Sequence, residues 1–577
     1  MITSAGFILG MRRSMAPAAV LLLASGGLLR AQVVIAPTTP QVGSSNPATA
    51  APLVPRPTTK PCVVQLFQNL AFENYTPASF SYTPPADCPG PWAKVVFTAD
   101  FTVTAGTQYD RTGAFYLGHA NLYYGTTAEP GSTLSPSWHV ERDVTDLTPI
   151  FEAPQTGEAN LGNYVGVYDG VDYNGIIYAN AALEFYPANF RNPAPRTPDL
   201  VIPVNGTGGD AGTLNTGADQ ITQTLNLPEN VESVYLDVIA QSQIDDEFWY
   251  TCVPNDESGP LESCGGTSFR ETEVSLDGQP AGVAPVYPWI FTGGIDPYLW
   301  LPIPGVQTLE FVPYRVNLTP FAGVLSDGST HTVAVSVYNA NSYFLATANL
   351  LVYLDHGARK TTGGLISNTL SAAPSPVIEN NIVSSNGNYS GNILTTSKRN
   401  FAISGYVQTS HGRVVTTVGE NVNFSNNQQF TINSSEYVQD IQQLTTVQST
   451  STTQQGGLVT TQQENFNYPL TVDYSSGSTS SGFYATTNIN QAYQKNDGQD
   501  LNRFPLYASN VSNRVITTDT LLFDSSGNFL GPSASKSSNT YTWRNSLGGC
   551  YSRTITAATQ ALTAVTNGKG CYDQHPF

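Results

Sequence analysis

Two short runs in this chain set carboxylates beside aromatic rings, the first with an arginine as well: Tyr109-Asp110-Arg111, and Asp245-Asp246-Glu247-Phe248-Trp249-Tyr250. Rings cover the apolar faces of a pyranose and carboxylates bind its hydroxyls or trade protons with a reacting group, so such runs suit a sugar-handling site. Asp110 and Glu247 are the candidate catalytic carboxylates. The same residue types also build structural ion pairs and strand cores. A third run, Trp289-Ile290-Phe291-Thr292-Gly293-Gly294-Ile295-Asp296-Pro297, reads as a loop in which Gly293-Gly294 lets a ligand approach the backbone. With Trp300 it forms either a ring-lined wall or a tight turn packed on the core. No phosphate-binding glycine loop, nucleophile elbow or zinc-protease helix motif occurs. The six histidines include no pair at metal-ligand spacing, and His119 and His139 read as hydrogen-bonded structural residues. No metal or cofactor is expected, which leaves carboxylate chemistry.

The elements that must position these residues are strands. Alternation of apolar and polar residues recurs at Val95 to Phe101, Val234 to Val238 and Val333 to Val337, while 50 Gly and 39 Pro punctuate the sequence and long amphipathic helical windows are missing. An all-β architecture of sandwiches follows, and a parallel α/β fold is excluded. Only 12% of the 577 residues are charged, against roughly 25% in an ordinary globular protein. The formal net charge of −19 gives a nucleic-acid partner no electrostatic support. Disorder is excluded by 30 Tyr, 25 Phe and 6 Trp.

Arg12 and Arg13 precede an apolar stretch from Ala16 to Leu29, and Ala31 offers a cleavage position, so residues 1–31 read as a secretory signal peptide, with an uncleaved anchor as the rival. Residues 32–60, rich in Pro and Thr, read as a flexible linker outside the fold. Cys62 and Cys88, Cys252 and Cys264, and Cys550 and Cys571 fall as three local pairs, 26, 12 and 21 residues apart. Disulfides are the simplest reading in a secreted or periplasmic protein.

A first β-sandwich is expected over 61–190, a Pro- and Gly-rich linker over 191–214 and a second sandwich over 215–357. The two halves echo one another. Asp110-Arg111 and the strand after it match Phe269-Arg270 and theirs, Val144 to Leu147 parallels Val316 to Thr319, and Ala179 to Leu183 parallels Ala348 to Val352. Two packed eight-stranded jelly-roll sandwiches result. Residues 358–577 shift to Ser, Thr, Asn and Gln but keep strand alternation, as in Phe401 to Val407, and form a polar β-rich C-terminal domain that reads as a spacer or support.

In combination these runs resemble the peptide-N-glycosidase A family of glycoamidases. The resemblance is carried by Asp110-Arg111, Thr127-Ala128-Glu129-Pro130, Trp138 to Asp143 and Leu183 to Pro187. It continues through Asp246 to Tyr250, Phe269-Arg270-Glu271, Ile290 to Pro297, Leu318 to Phe321, Tyr353-Leu354-Asp355 and Ser410 to Val414. It implies hydrolysis of the amide joining the innermost N-acetylglucosamine to Asn, with the whole glycan released and Asp left on the peptide, at acidic pH and with tolerance of core fucose. The flavobacterial-type glycoamidase is similar more distantly, and its two acidic motifs fall on Asp110 and Glu247. This implies that Asp110 is the primary catalytic carboxylate and that Glu247 holds water or a sugar hydroxyl. Another glutamate of that enzyme falls near Asn163-Tyr164 without an acidic match.

Arg111, Asp246, Trp249, Tyr250, Arg270, Trp289 and Phe291 are the expected substrate-binding residues, the rings stacking on the sugar and Arg111 or Arg270 stabilising charge or holding Asp110. The expected partner is an N-glycoprotein or N-glycopeptide, with no membrane contact once the signal is cleaved and a monomer as the simplest state. Two other classes remain open from the residues: a secreted glycan-binding module and a glycosidase using the same two acids.

Overall fold

The computed structural model describes residues 33–571. The signal-peptide reading lies outside the described residues. Nearly every element is a strand, and the first half forms two sandwiches of the same plan. In the first, one sheet runs Cys62–Phe72, Ile177–Pro187, Trp92–Val103, Ser137–Asp143, and faces a sheet ordered Ala78–Tyr82, Gln155–Leu161, Thr112–Leu117, Ala120–Thr126. In the second, Leu200–Val204, Tyr343–Leu354, Val231–Gln243 and Tyr314–Asn317 face Ile221–Leu225, His331–Tyr338, Glu271–Leu276 and Gln279–Pro285. The echoes in sequence mark equivalent places: Thr112–Leu117 and Glu271–Leu276 each open a hairpin, and Ile177–Pro187 and Tyr343–Leu354 are each central strands.

Alternation accounts for the cores. In Trp92–Val103 the inward residues Val95, Phe97, Ala99, Phe101 and Val103 are all buried, and Phe101 stacks on Trp138 at 5.1 Å. His139 bridges Asp100 and Glu141 at 3.0 and 2.8 Å, a structural role. The two sandwiches are joined by backbone pairing. Thr126 N donates to Thr308 O and Phe311 N to Tyr124 O, while Tyr123 Oη donates to Leu309 O.

Two segments read as linkers are built into the fold. Leu200–Val204 and Gly212–Leu214 both pair with Tyr343–Leu354, so the Pro- and Gly-rich stretch supplies edge strands of the second sandwich. Residues 33–60 form an extended strap across all three regions. Val33 N donates to Asn69 Oδ1, Arg56 forks onto Glu141 at 2.6 and 2.7 Å, and Gly43 N donates to Leu562 O. Fully buried Ala50 is held by Asn539 Oδ1 and by Tyr551 Oη. Proline fixes an extended backbone whether or not anything pairs with it. Here side chains of the neighbouring sheets satisfy the strap's backbone groups.

The C-terminal region is one 13-stranded antiparallel sheet whose central strands, from Asn388–Thr409 to Phe504–Asp524, each run 20 to 22 residues. At roughly 3.3 Å per residue such strands reach about 70 Å. Its inner face continues the core of the second sandwich, with Phe424, Phe466, Leu470 and Ile489 in one buried cluster with Trp249, Trp289 and Trp300. The polar residues of that face are equally buried. Asn426, Gln428, Gln439 and Gln491 are at most 2% exposed, and they donate to the carbonyls of Tyr250, Cys252, Thr251 and Pro288. The three disulfides join Cys62 to Cys88, Cys252 to Cys264 and Cys550 to Cys571. Among the described residues no helix is long and apolar enough to cross a membrane.

This shared core has a measurable consequence. Ending the chain at 357 strips the cover from Trp249, Trp289 and Trp300. The truncated chain is expected to bind a hydrophobic dye and lack a cooperative melt, whereas the full chain melts with the second sandwich and the C-terminal sheet in one calorimetric transition.

Candidate active site

The connections between equivalent strands of the two sandwiches carry the two sequence-predicted carboxylates. Asp110 lies between Trp92–Val103 and Thr112–Leu117, and Glu247 lies between Val231–Gln243 and Glu271–Leu276. The structure brings them together and adds a third, Glu129, which follows Ala120–Thr126. Gly293 is the point around which Asp110 and Glu129 gather. Its N–H donates to Asp110 Oδ2 at 3.0 Å, Asp110 N donates to Glu129 Oε2 at 2.9 Å, and Thr292 Oγ1 donates to Thr127 O at 2.5 Å. A methyl group on the Gly293 Cα would stand 2.0 Å from Glu129 Oε2 and 2.9 Å from Asp110 Oδ2. Any side chain there would displace both acids, so the glycine is required by close approach and not by a turn.

All three carboxyls are held above the usual carboxylate range, first of all because burial removes their water. Glu129 is pushed up to about 8, with the Asp110 charge adding to it, and Glu247 is raised well above its ordinary value by burial and then by Asp110 and Glu129. Asp110 is also raised by burial, but the Gly293 N–H and the Arg111 charge oppose the rise. Among the three, Glu247 has no cation in its surroundings to oppose the rise. Of the three, Asp110 is therefore the acid whose charged form the surroundings favour most, since an N–H and a cation both act on it.

The expected binding residues divide. Arg111 belongs to the site. Its guanidinium lies 3.8 Å over the Tyr109 ring and donates to Gln108 Oε1, and its Nε has no hydrogen-bond partner among the described residues. Asp246 and Arg270 are closed off from solvent. They form an ion pair at 2.7 Å with neither side chain exposed, and the other Asp246 oxygen accepts from Asn341 N and Ser342 N. Their role is to fasten the turn that carries Glu247.

The four rings expected to stack on sugar are also inside. Trp249 and Tyr250 are 1% and 0% exposed, with Trp249 packed on Phe424 of the long sheet. Trp289 is 6% exposed, lies 4.3 Å from Phe311 and lines a pocket with Tyr287, Tyr468 and Tyr493, and Phe291 packs on the same Phe311. A ring whose faces are covered by protein cannot stack on a pyranose. Less deeply buried rings stand on the first sandwich's side of the site, half-buried Tyr173 among them. Tyr173 meets Tyr109 edge-on at 5.2 Å, and Tyr168 in the same small hairpin, Gly166–Tyr168 and Val171–Tyr173, is 43% exposed.

Backbone strain sits on both loops of the second sandwich that reach the site. Ile244 and Ile295 have φ of 52° and 67°, a region β-branched residues rarely enter. Ile244 precedes Glu247 by three residues and Ile295 follows Gly293 by two. Strain of this kind persists only where the surroundings over-determine the conformation. Side-chain amides of the long sheet hold both loops at other points, the carbonyls of Tyr250 to Cys252 and of Pro288. Asn163, where an acid had no match, is fully buried and holds the carbonyls of Phe72 and Gly175. Glu129 supplies the third carboxyl instead. It was visible in sequence only as part of Thr127-Ala128-Glu129-Pro130, with no ring or arginine beside it to single it out. Among the described residues no group of three or more His, Cys, Asp or Glu is placed to hold a metal ion.

With this geometry in hand, comparison with known proteins is informative. The family model described as peptide N-acetyl-beta-D-glucosaminyl asparaginase amidase A matches residues 52–371. The peptide-N4-(N-acetyl-beta-glucosaminyl)asparagine amidase A of Prunus dulcis is 30% identical over 391 residues, which cover 64% of this chain and 67% of that protein. Among solved structures, PNGF-II aligns with a TM-score of 0.37 at 13% identity, covering 52% of this chain and 66% of its own. PNGase F, a glycosylasparaginase from Flavobacterium meningosepticum, aligns with a TM-score of 0.34 at 12% identity, covering 51% and 96%.

The buried pair behind Glu247 is open to test by stability. Arg270→Leu leaves Asp246 charged and without its cation in a dry site, so equilibrium unfolding in urea is expected to show a loss of about 3 kcal/mol. A loss below about 1 kcal/mol would mean that the Glu247 turn does not depend on the pair.

Proposed function

The chain belongs to the peptide N-acetyl-beta-D-glucosaminyl asparaginase amidase A family, and on that footing we propose that Asp110, Glu129 and Glu247 hydrolyse the amide between the innermost N-acetylglucosamine and Asn of N-glycoproteins or N-glycopeptides. The observation that carries this assignment is the convergence of Asp110 and Glu129 on the bare Cα of Gly293, with Glu247, from a third connection, close enough to feel the charge of both. Amide hydrolysis needs an activated water, a stabilised oxyanion and a proton for the leaving nitrogen.

Each need has a residue suited to it. The Asp110 carboxylate takes a proton from the attacking water, whose oxygen bonds to the side-chain carbonyl carbon. Arg111, with its free Nε, supplies positive charge toward the developing oxyanion. Glu247, protonated by virtue of its burial, gives its proton to the nitrogen as the C–N bond breaks. The peptide leaves with Asp, and the glycan leaves intact as a glycosylamine that then loses ammonia in water. Glu129 holds the backbone of Asp110 and, by its own charge, limits how many of the three acids ionise at once. Tyr168 and Tyr173 replace the buried tryptophans as the rings offered to the sugar. Three disulfides suit an oxidising compartment, which places the activity outside the cytosol, and a single chain contains every group the reaction uses.

Mass spectrometry of a defined N-glycopeptide incubated in acidic buffer tests the reading. Asp at the former glycosylation site with the complete glycan free is expected; Asn retaining one sugar would establish a glycosidase, and an intact, retained substrate a binding module. Asp110→Asn is expected to lower turnover by at least ~1000-fold with the fold intact, on the scale of losing a principal catalytic group, and near-normal turnover in it would sink the assignment.

The pH dependence follows from the directions above. The productive state has Asp110 ionised and the glutamates protonated, so kcat declines as pH rises through about 8, where Glu129 loses its proton, and declines again in acid as Asp110 gains one. Glu129→Gln cannot ionise, and its alkaline limb should move up by a unit or more in a kcat–pH profile. An unmoved limb would assign that titration elsewhere.

A further inference from the structure

The loop that presents Gly293 to the carboxylates does not end in the second sandwich; it is docked on the long C-terminal sheet. Gly294 O accepts from Trp300 Nε1, Asp296 caps the following turn by accepting from Tyr298 N, and Leu299 O accepts from Thr517 Oγ1 of the strand Phe504–Asp524. Two residues along that strand, on the same inward face, stands Asp519. It is 0% exposed, neither of its carboxyl oxygens has a donor among the described residues, and its carboxyl lies beside that of Asp296 and acts on it. Asp296 is itself only 3% exposed. Two carboxylates cannot make a hydrogen bond to one another; one must carry the proton. An acid with no lysine or arginine partner, placed at full burial on a sheet face otherwise filled by apolar and amide side chains, would cost stability unless it held something there.

We propose that Asp519 is a positioning residue for the reaction: through one proton shared with Asp296 it fastens the Gly293 loop to the C-terminal sheet, and so keeps Gly293 N–H on Asp110. This rests on the amidase reading for its catalytic part, while the fastening stands on the geometry alone. The titratable groups around the pair are the Tyr298 hydroxyl on the loop and the Tyr474 hydroxyl on the strand Leu458–Thr479, and the charge next nearest, Glu129, acts on the same Tyr298. All are neutral or negative, so nothing there compensates a second carboxylate charge. Burial first, and Asp519 after it, push Asp296 up to about 8 against the pull of the Tyr298 N–H.

The sign follows. Asp296 binds its proton more tightly in the folded than in the unfolded chain, so the fastening is fully present in acid and is lost as pH rises through about 8. The loop then carries two charges in a dry contact and lifts. The third region is in this view part of the catalytic machinery's support, and it confers on the site a preference for acid independent of the three catalytic carboxyls.

Asp519→Asn keeps the shape and donates an N–H to Asp296 at every pH, whereas Asp519→Leu removes the bond altogether. Hydrogen exchange of the segment 290–300, read by mass spectrometry at pH 5 and pH 8.5 on the full chain, tests the fastening without any substrate. At pH 5 the Leu variant should exchange this segment at least tenfold faster than wild type and the Asn variant should match wild type. At pH 8.5 wild type should approach the Leu variant while the Asn variant stays protected. In glycopeptide turnover at pH 5, kcat of the Leu variant should drop at least tenfold with KM within about twofold, and Asp519→Asn should restore it. Equal exchange in all three proteins, or an Asn variant as impaired as the Leu variant, overturns the proposal. Wild type that fails to cleave the glycopeptide overturns the amidase reading and leaves the exchange result to decide the fastening. If the Leu variant does not fold, the comparison of wild type with Asp519→Asn at pH 8.5 decides alone.

Discussion

Two carboxyl groups, Asp110 and Glu129, crowd the unsubstituted Cα of Gly293 with a third, Glu247, within reach of their charge, and the repulsion of the three in a site short of water is the constraint on which the rest of the structure depends. Like charges at this range cannot all ionise, so the cluster keeps protons that isolated acids would lose. Holding it together requires that each acid be tied to the frame by something other than attraction to its neighbours. Asp110 is tied by Gly293 N–H, Glu129 by Asp110 N–H, and Glu247 by the turn that the buried Asp246–Arg270 pair fastens. The pairing of Thr126 with Thr308, and of Tyr124 with Phe311, sets the register of one sandwich against the other and with it the distance between the acids. A slip of one residue there would turn alternate side chains to the opposite face.

The polar composition of the C-terminal sheet acquires a reason in the same terms. Loops that carry a site leave backbone carbonyls unpaired, and a loop buried against a sheet must find donors for them. Valine and leucine cannot supply these. Asn426, Gln428, Gln439 and Gln491 can, and each reaches a carbonyl of the segments Tyr250 to Cys252 or of Pro288. Strained Ile244 and Ile295 lie in loops so fastened. A sheet face that mixes Phe424 and Phe466 with amides therefore serves as both core and template, and the sheet is not a separable spacer.

What could be read from sequence follows the range of each signal. Strand alternation, the disulfide pairs and the internal echo are local or nearly so, and the β framework and the equivalence of the two sandwiches were legible from them. Asp110 stood out as a candidate because Tyr109 and Arg111 flank it, and Glu247 because two acids precede it and three rings follow it. The same flanking misled for Trp249 and Tyr250, since neighbours in sequence on a tight turn point to opposite sides, and these two point into the core. Glu129 carried no local mark, because its partners, Asp110 and Gly293, reach it only through tertiary pairing. The strap at 33–60 failed for a related reason: proline and threonine dictate an extended backbone, and only the sheets around it decide whether that backbone is free or bound.

The duplicated plan also explains how one framework separates an acid from a base. Arg111 and Arg270 occupy equivalent places, each just before the strand that opens the hairpin. Arg270 is neutralised by Asp246 at 2.7 Å with both side chains fully buried, so its charge is spent before it reaches Glu247. Among the described residues Arg111 has no carboxylate within ion-pair distance, and it lies over the Tyr109 ring with its charge acting on Asp110. Equal scaffolds thus give unequal surroundings: a cation and an N–H oppose the rise that burial imposes on Asp110, whereas the charges of Asp110 and Glu129 add to the rise at Glu247. Exchanging the two environments, and not the two acids, is what would exchange their roles.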